Sequence, residues 1–285
     1  MPRRNNEDRV GAAQPDASPP PPRAKTEDDF LSFVTPTEFV ELPSGGRHYP
    51  EGNPLHSVDS IEIRHMTAKE EDILTSQSLL KKGIVIDRLL ESLLVDKSIK
   101  VDDLLIGDKN AILIAARISG FGAQYITSVT CPQCTTMGEQ EFDLDELRVG
   151  DEPPVLPEGV TETDHGTYLI KLPTLKVNVE VKLLTSADEK RLTAVKDRKR
   201  KMKLPESNYT DNLKSILVSV EGRDDDSSLQ KLLEVMPLRD STYLMKTYQS
   251  VVPNLNTELL FSCEMCHHEG GIELPFTADF FWPDA

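Results

Sequence analysis

The sequence comprises 285 residues, of which 38% are hydrophobic and 28% are charged, and its formal net charge at pH 7 is −16. This balance is typical of a globular protein, and no segment approaches the roughly 18 apolar residues of a membrane-spanning helix. The negative charge repels phosphate backbones, which argues against general nucleic-acid binding. Because the N-terminus lacks the apolar segment of a signal peptide, we expect the protein to remain where it is made.

Residues 1–30 are predicted to form a disordered N-terminal tail. They contain the run SPPPP at 18–22 and almost no large apolar residue before Phe30. Such a composition buries too little apolar surface to offset the entropy lost on ordering. A segment that orders on a partner is the alternative interpretation.

Residues 31–122 are predicted to form a strand and helical unit. The alternation at 61–64 predicts a strand. Thr67 and Glu70 have the spacing of a capping box, which predicts a helix that runs to about Lys82.

Two further helices are predicted in the same unit. Leucines at 89, 90, 93 and 94 form one apolar helical face. Asp108 is predicted to cap the next helix, which Gly120 or Gly122 ends.

Residues 150–256 are predicted to form an α+β domain inserted after a proline-rich linker. A β-hairpin is predicted first, at 168–172 and 177–183, and helices follow. The helices are predicted from a capping pattern at 186–189 onward and at 209–221, 227–235 and 240–250.

Four cysteines are present, and they form two Cys-x-x-Cys pairs, Cys131 with Cys134 and Cys263 with Cys266. Each pair follows an apolar strand and precedes glycine and a second strand, which is the form of a zinc knuckle. Two such turns complete a tetrahedral site with four sulfur ligands. Residues 123–149 and 257–285 are therefore predicted to be the two halves of one zinc ribbon, the second including the C-terminal tail.

The predicted fold class is α+β. It consists of the helical N-terminal unit, the zinc ribbon built from two distant knuckles, and the α+β domain inserted between them. One structural Zn²⁺ is the predicted cofactor, and four thiolates leave no open position for a catalytic water, so no enzymatic activity and no small-molecule substrate are expected.

Three alternatives for the cysteines stay open at this point. A thioredoxin-like redox motif requires a helix after the pair, whereas strands are predicted here. Cys266 followed by His267 matches the haem-attachment pattern, but that reading leaves the first pair unexplained. His267 or His268 is also a possible substitute for one cysteine ligand.

The predicted helix at 190–203 is strongly basic in an otherwise acidic chain. A solvated face is the simplest interpretation of this charge. The alternative is a docking surface for an acidic partner, for which Arg198, Lys199 and Arg200 are the candidate residues.

Several segments together resemble the baseplate hub assembly protein family of contractile-tailed, T-even-type bacteriophages. The segments are LPSGGRHYP at 42–50, EIRHMTAKEEDILT at 62–75, LLESL at 89–93, GDKNAILIAAR at 107–117 and CPQC at 131–134. The resemblance is good over about 35–145, weaker through the middle domain, and returns at the second knuckle.

The resemblance implies a structural subunit or assembly factor of the tail baseplate hub that acts in virion morphogenesis. Other tail and hub proteins are the implied partners, in the host cytoplasm during assembly and in the virion baseplate if the chain remains there. No catalytic residue is implied. A zinc-ribbon regulatory or nucleic-acid-binding protein is the alternative, against which the acidic flanks of the knuckles, including Glu139, Glu141 and Asp143, argue.

Overall fold

The computed structural model describes residues 35–147, 156–205, 207–255, 258–274, 276 and 278–281. The predicted N-terminal tail at 1–30 lies outside the described residues. The described residues form a mixed α+β structure with eight α-helices and ten strands, which confirms the predicted α+β class.

The strands are β1 (Thr37–Glu41), β2 (Ser60–Arg64), β3 (Gln124–Thr130), β4 (Met137–Asp143), β5 (Val160–Glu162), β6 (Tyr168–Lys171), β7 (Asn178–Val181), β8 (Leu217–Val220), β9 (Glu258–Ser262) and β10 (Glu269–Glu273). The helices are α1 (Ala68–Thr75), α2 (Gln77–Lys82), α3 (Val85–Leu93), α4 (Ile106–Phe121), α5 (Ser186–Lys201), α6 (Asn208–Ile216), α7 (Asp226–Val235) and α8 (Leu238–Val251).

All strand pairs in these sheets are antiparallel. β1 pairs with β2, β3 with β4, and β9 with β10, and each of these pairs is a separate two-stranded sheet. β5, β6, β7 and β8 form one four-stranded sheet in that order. Two-stranded sheets are only marginally stable alone, so the three pairs depend on the packing around them.

The single helix predicted up to Lys82 is interrupted. Ser76 adopts an extended conformation (φ −66°, ψ 106°), which separates α1 from α2. The predicted end is correct, because Gly83 closes α2 in the left-handed conformation (φ 67°) that glycine adopts readily.

The capping box at the start of α1 belongs to a larger buried network. The Glu70 carboxylate accepts hydrogen bonds from the Thr67 N–H (2.9 Å) and from the Ser92 hydroxyl (2.6 Å). Arg64 lies 3.3 Å from the same carboxylate and donates to the Ser92 carbonyl at 2.6 Å. Glu70 thereby joins β2, α1 and α3, which are the elements that carry the motif segments at 62–75 and 89–93.

The buried Glu70 carboxylate predicts a specific pH dependence. Although desolvation acts to raise its pKa, hydrogen bonds from Ser92 and Thr67 and the charge of Arg64 hold that pKa at about 2. Because this value lies below the ordinary 4.5, the carboxylate stabilises the fold above about pH 4.5, and this stabilisation is lost as the pH falls toward 2.

Glu70→Gln is therefore expected to lower the free energy of unfolding at pH 7 by about 2–3 kcal/mol. The variant should also lose stability less steeply than the wild type between pH 4.5 and 2. Urea unfolding across this range measures both effects, with the exposed neighbour Glu71→Gln as the control. Parallel pH profiles for Glu70→Gln and the wild type would contradict the assignment.

The predicted role of Asp108 as a helix cap is wrong. α4 begins two residues earlier, with Leu105 as its N-cap, and Asp108 lies fully buried in the first turn. Its carboxylate accepts hydrogen bonds from the Ser44 N–H (2.9 Å), the Ser44 hydroxyl (2.6 Å) and the Tyr49 hydroxyl (2.6 Å). Tyr49 in turn accepts the Leu105 N–H at 3.0 Å, so the loop at 42–50 is fixed onto the start of α4.

The predicted hairpin of the middle region is confirmed as β6 and β7, but the helix predicted at 209–221 ends early. α6 stops at Ile216, and 217–220 form β8, which pairs with β7. Helix α5, which follows β7, is capped by Thr185 rather than by Ser186, through a capping box with Asp188. Asp240 at the start of α8 accepts the backbone N–H groups of the β6–β7 turn, at 2.8 Å each.

The core contains side chains from every sheet, and Ile63, Leu104, Ile170 and Val181 are all fully buried. Gly107 in α4 packs against the chain after α8, and a Cβ there would lie 2.0 Å from the Pro253 carbonyl oxygen. Among the helices of the described residues, none combines the length and the hydrophobicity that a membrane span requires.

Candidate metal centre

Two hairpins, β3–β4 and β9–β10, present the Cys-x-x-Cys pairs in matching turns. In the first turn, the Cys131 N–H donates to the Thr136 carbonyl and the Thr135 N–H donates to the Cys131 carbonyl, both at 2.9 Å. In the second turn the same two hydrogen bonds recur. The Cys263 N–H donates to the His268 carbonyl at 2.9 Å, and the His267 N–H donates to the Cys263 carbonyl at 2.8 Å.

The residue after the second cysteine of each pair is left-handed. Thr135 has φ 58° and His267 has φ 55°, a conformation that is uncommon for residues other than glycine and most unfavourable for a β-branched residue such as Thr135. The same unfavourable conformation at the same position of both turns shows that the two knuckles share one backbone form.

The glycines predicted to form the turns lie inside strands instead. Gly138 pairs with Val129 across the first hairpin, and Gly270 pairs with Phe261 across the second. A Cβ on Gly270 would lie 3.2 Å from the Phe261 ring, so glycine leaves room for that ring. The second strand of this knuckle, which was predicted to follow the glycines, accordingly begins before them, as β10 at Glu269.

The four sulfur atoms lie within 4.8 Å of one another. Cys131 Sγ lies 3.7 Å from Cys266 Sγ, and Cys134 Sγ lies 3.6 Å from Cys263 Sγ. These distances are far too long for disulfide bonds, and all four cysteines are free. They are close to the edge of about 3.8 Å of a tetrahedron whose sulfurs each lie about 2.3 Å from a central zinc ion.

Each knuckle has one buried and one more exposed sulfur. Cys131 and Cys263 are buried, whereas Cys134 and Cys266 lie toward the solvent. The buried thiols come directly after β3 and β9, so the strands hold them in place. A metal ion at this position is therefore shielded on the side of the protein and accessible from outside.

The pKa values of the two more exposed thiols, Cys134 and Cys266, are shifted in opposite directions by their surroundings. Hydrogen bonds from the Thr136 hydroxyl and backbone N–H lower the pKa of Cys134 to about 6. The His268 N–H acts to lower the pKa of Cys266, but desolvation and the neighbouring sulfurs raise it to about 12. Because the thiolate is the form of cysteine that binds a metal, a metal ion bound at this site would displace protons from it.

Neither histidine of the second knuckle belongs to the cluster of ligand atoms. Among the described residues, the group that is able to hold a metal ion consists of the four cysteines. His268 instead packs edge-on against Phe261, with ring centroids 6.2 Å apart. The donor set is thus four sulfurs, which suits a soft or borderline cation such as Zn²⁺.

Two aromatic residues near the end of the sequence, Phe280 and Phe281, pack against β3 and α4. They were not among the residues predicted from the sequence to support the site. Phe280 and Phe281 are buried, although their segment was expected to be a tail. The Phe280 ring centroid lies 5.4 Å from that of Tyr125 in β3, and Phe281 lies 6.3 Å from Phe121 in α4. The only sequence signal for this packing is the apolar run FFW at 280–282, which has no periodicity.

The three candidate partner-binding residues lie on α5, which contributes no atom to the cysteine cluster. Arg198 is exposed and makes no ion pair with any residue that the structure describes. Arg200 is also exposed and pairs with Asp197 at 3.0 Å. Lys199 differs, because its ammonium group lies 2.6 Å from Asp211 and ties α5 to α6.

Comparison with known proteins yields one family and no individual relative. No curated protein and no solved structure gives a significant match to the chain. The family model described as "T4 bacteriophage base plate protein" matches residues 35–282, which include both hairpins and every helix of the structure. The match covers far more than half of the 285 residues, and the chain therefore belongs to the T4-type bacteriophage baseplate protein family.

Proposed function

We propose that the protein is a structural subunit or assembly factor of the baseplate hub, and that it acts through protein–protein contacts during virion morphogenesis. The family match over 35–282 is the observation that carries the baseplate role. The assignment to the hub rests on the resemblance of the motif segments, two of which, at 42–50 and 107–117, meet through the Asp108 network. Other baseplate proteins are the proposed partners, and the assembling tail in the host cytoplasm is the proposed location.

The four cysteines are proposed to hold one structural Zn²⁺ in a zinc ribbon. The donor set fits this ion, because four free thiols lie within 4.8 Å of one another and two of the Sγ–Sγ distances, 3.6 and 3.7 Å, are close to the edge of a zinc–sulfur tetrahedron. When bound, the ion supplies a cross-link between chain segments 129 to 135 residues apart. Since four thiolates fill the coordination shell, the protein is proposed to have no enzymatic activity.

The cross-link suggests the domain organisation. Residues 123–149 and 257–285 are proposed to be the ribbon halves, and 150–256 to be an insertion between them, after the N-terminal unit at 31–122. β5 to β8 and α5 to α8 all lie within the proposed insertion. A single ion would then fix both ends of the insertion to the same point.

The exposed end of α5 is proposed to dock an acidic partner. Lys199 is held by Asp211, whereas Arg198 has no described ion-pair partner and Arg200 pairs only with Asp197 on the exposed surface of α5 itself, so these two residues are the ones proposed to meet another surface. Charge reversal at these two positions changes the docking surface without removing the contact between α5 and α6. The variant therefore separates binding from folding.

Complementation of a phage that lacks this chain tests the proposal. The wild type should restore complete baseplates, whereas Arg198→Glu/Arg200→Glu should lower their yield about tenfold, with an unchanged melting temperature. Lys231→Glu/Lys246→Glu is the control, because it changes the charge equally at exposed positions on α7 and α8. Normal baseplates without the chain would contradict the assembly role, and full activity of the α5 variant would contradict the docking role. Salt-sensitive binding of the purified chain to DNA or RNA would instead favour the regulatory alternative.

A further inference from the structure

An acidic cleft of about 600 Å³ opens between the two cysteine hairpins. Its lining combines carboxylates with large apolar side chains and contains no lysine or arginine among the described residues. The lining residues are Gln124, Glu141, Phe142, Asp143, Glu146, Leu147, Leu259 and Leu260.

The cleft has features of an interaction surface. Glu141, Asp143 and Glu146 are exposed, and no cation of the described residues forms an ion pair with them. Leu260 is 80% exposed beside the buried Leu259. An apolar floor whose rim carries negative charges that pair with no described cation fits a segment that carries apolar residues and positive charges together.

The last turns of α5 and the residues after it have this complementary chemistry. Four cations there make no ion pair with a described residue: Lys196, Arg198, Lys201 and Lys203. Three apolar side chains are exposed among them, namely Val195 (41%), Met202 (57%) and Leu204 (48%). Val195, Arg198 and Met202 follow the i, i+3, i+7 spacing of one helix face.

We infer that this basic end of α5 in one copy of the chain docks into the acidic cleft of a second copy. The inference rests on the proposed docking role of α5 and names its partner. No residue of α5 is among the described residues that line the cleft, so the two surfaces do not meet within the described part of one chain. A net charge of −16 makes copies repel each other in general, so association requires a local match of opposite charges such as this one.

The contact pairs two different surfaces, so it is made either twice, reciprocally, in a two-fold dimer or once per subunit, as a heterologous contact. Heterologous contacts repeat head-to-tail and close into a ring when the rotation permits. A symmetric dimer, in which two α5 helices or two clefts meet, is a different arrangement and predicts a different response to charge exchange.

Charge exchange on the purified, zinc-loaded full chain tests the inference by sedimentation velocity across a concentration series. Arg198→Glu/Arg200→Glu and Glu141→Lys/Glu146→Lys should each weaken self-association about tenfold or more. The chain with all four substitutions should recover the wild-type affinity to within a few-fold. An equimolar mixture of the two double variants should also recover it, which keeps the test valid if the fourfold variant does not fold.

Matched controls are Lys231→Glu/Lys246→Glu for the helix and Glu71→Lys/Asp72→Lys for the cleft, and both should leave self-association unchanged. A wild type that stays monomeric at every concentration would overturn the inference, as would double variants that weaken association but do not recover it when mixed. If the α5 variant lowers baseplate yield while the wild type is monomeric, the inference fails and the proposed docking role stands. If the α5 variant changes neither baseplate yield nor self-association, both the inference and the proposed docking role fail.

Discussion

Replacing Cys131 or Cys263 by serine is expected to abolish zinc binding and to destabilise the protein by on the order of 5 kcal/mol. For a chain of this size, that loss corresponds to a melting temperature lower by about 10–20 °C. The reason is that two marginal two-stranded sheets and the segments they join would, in the proposed site, depend on one metal cross-link. Metal content by mass spectrometry and thermal unfolding by circular dichroism measure the two effects.

Zinc removal from the wild type by a chelator should reproduce the serine variants, and added zinc should reverse it. His267→Asn is the matched control, because asparagine tolerates the left-handed conformation at that position (φ 55° in His267) and supplies no imidazole. It should retain about one zinc per chain. Loss of the metal in this control would show that a histidine replaces one of the cysteine ligands.

Asp108→Ala is expected to cost about 3–5 kcal/mol, although the residue is remote in sequence from everything it binds. Three donors would be left buried without an acceptor, namely the N–H and hydroxyl of Ser44 and the hydroxyl of Tyr49. Desolvation raises the pKa of Asp108, and these donors oppose that rise. The loop at 42–50 should consequently detach from the start of α4 before the rest of the protein unfolds.

Urea unfolding gives the free-energy change for Asp108→Ala, and amide hydrogen exchange of 42–50 reports the detachment. The exposed Asp103→Asn is the control and should change stability by less than about 0.5 kcal/mol. A similarly small effect for Asp108→Ala would show that the network does not hold the loop.

The convergence of the cysteine pairs was predictable because each pair carries its own local signal. Strand, Cys-x-x-Cys and second strand recur around Cys131 and Cys263, and local hydrogen bonds alone define each turn. A tetrahedral zinc site needs four ligands, and each Cys-x-x-Cys pair supplies only two, so the presence of two such pairs implies that they meet. The exact strand bounds were not predictable, because Gly138 and Gly270 are typical of turns and enter strands only through their cross-strand partners.

Long-range contacts explain the predictions that were wrong. The apolar spacing through Leu213, Ile216 and Leu217 continues a helix, yet 217–220 form β8 because β7 offers an unpaired edge. An Asp before an apolar helical segment, as at Asp108, is typical of a helix N-cap. The hydrogen-bond donors that Asp108 actually accepts from, Tyr49 and Ser44, lie 59 and 64 residues away in the sequence. Phe280 and Phe281 have no periodic neighbours, so only the folded structure reveals their packing on Tyr125 and Phe121.

X-ray absorption at the zinc edge, on the purified full-length protein, tests the central claim most directly. The account predicts about one zinc per chain with four sulfur ligands at about 2.3 Å and no nitrogen or oxygen ligand. A chain that binds no zinc, or a spectrum with fewer than four sulfurs around each ion, would contradict the claim that the four cysteines form one closed metal centre.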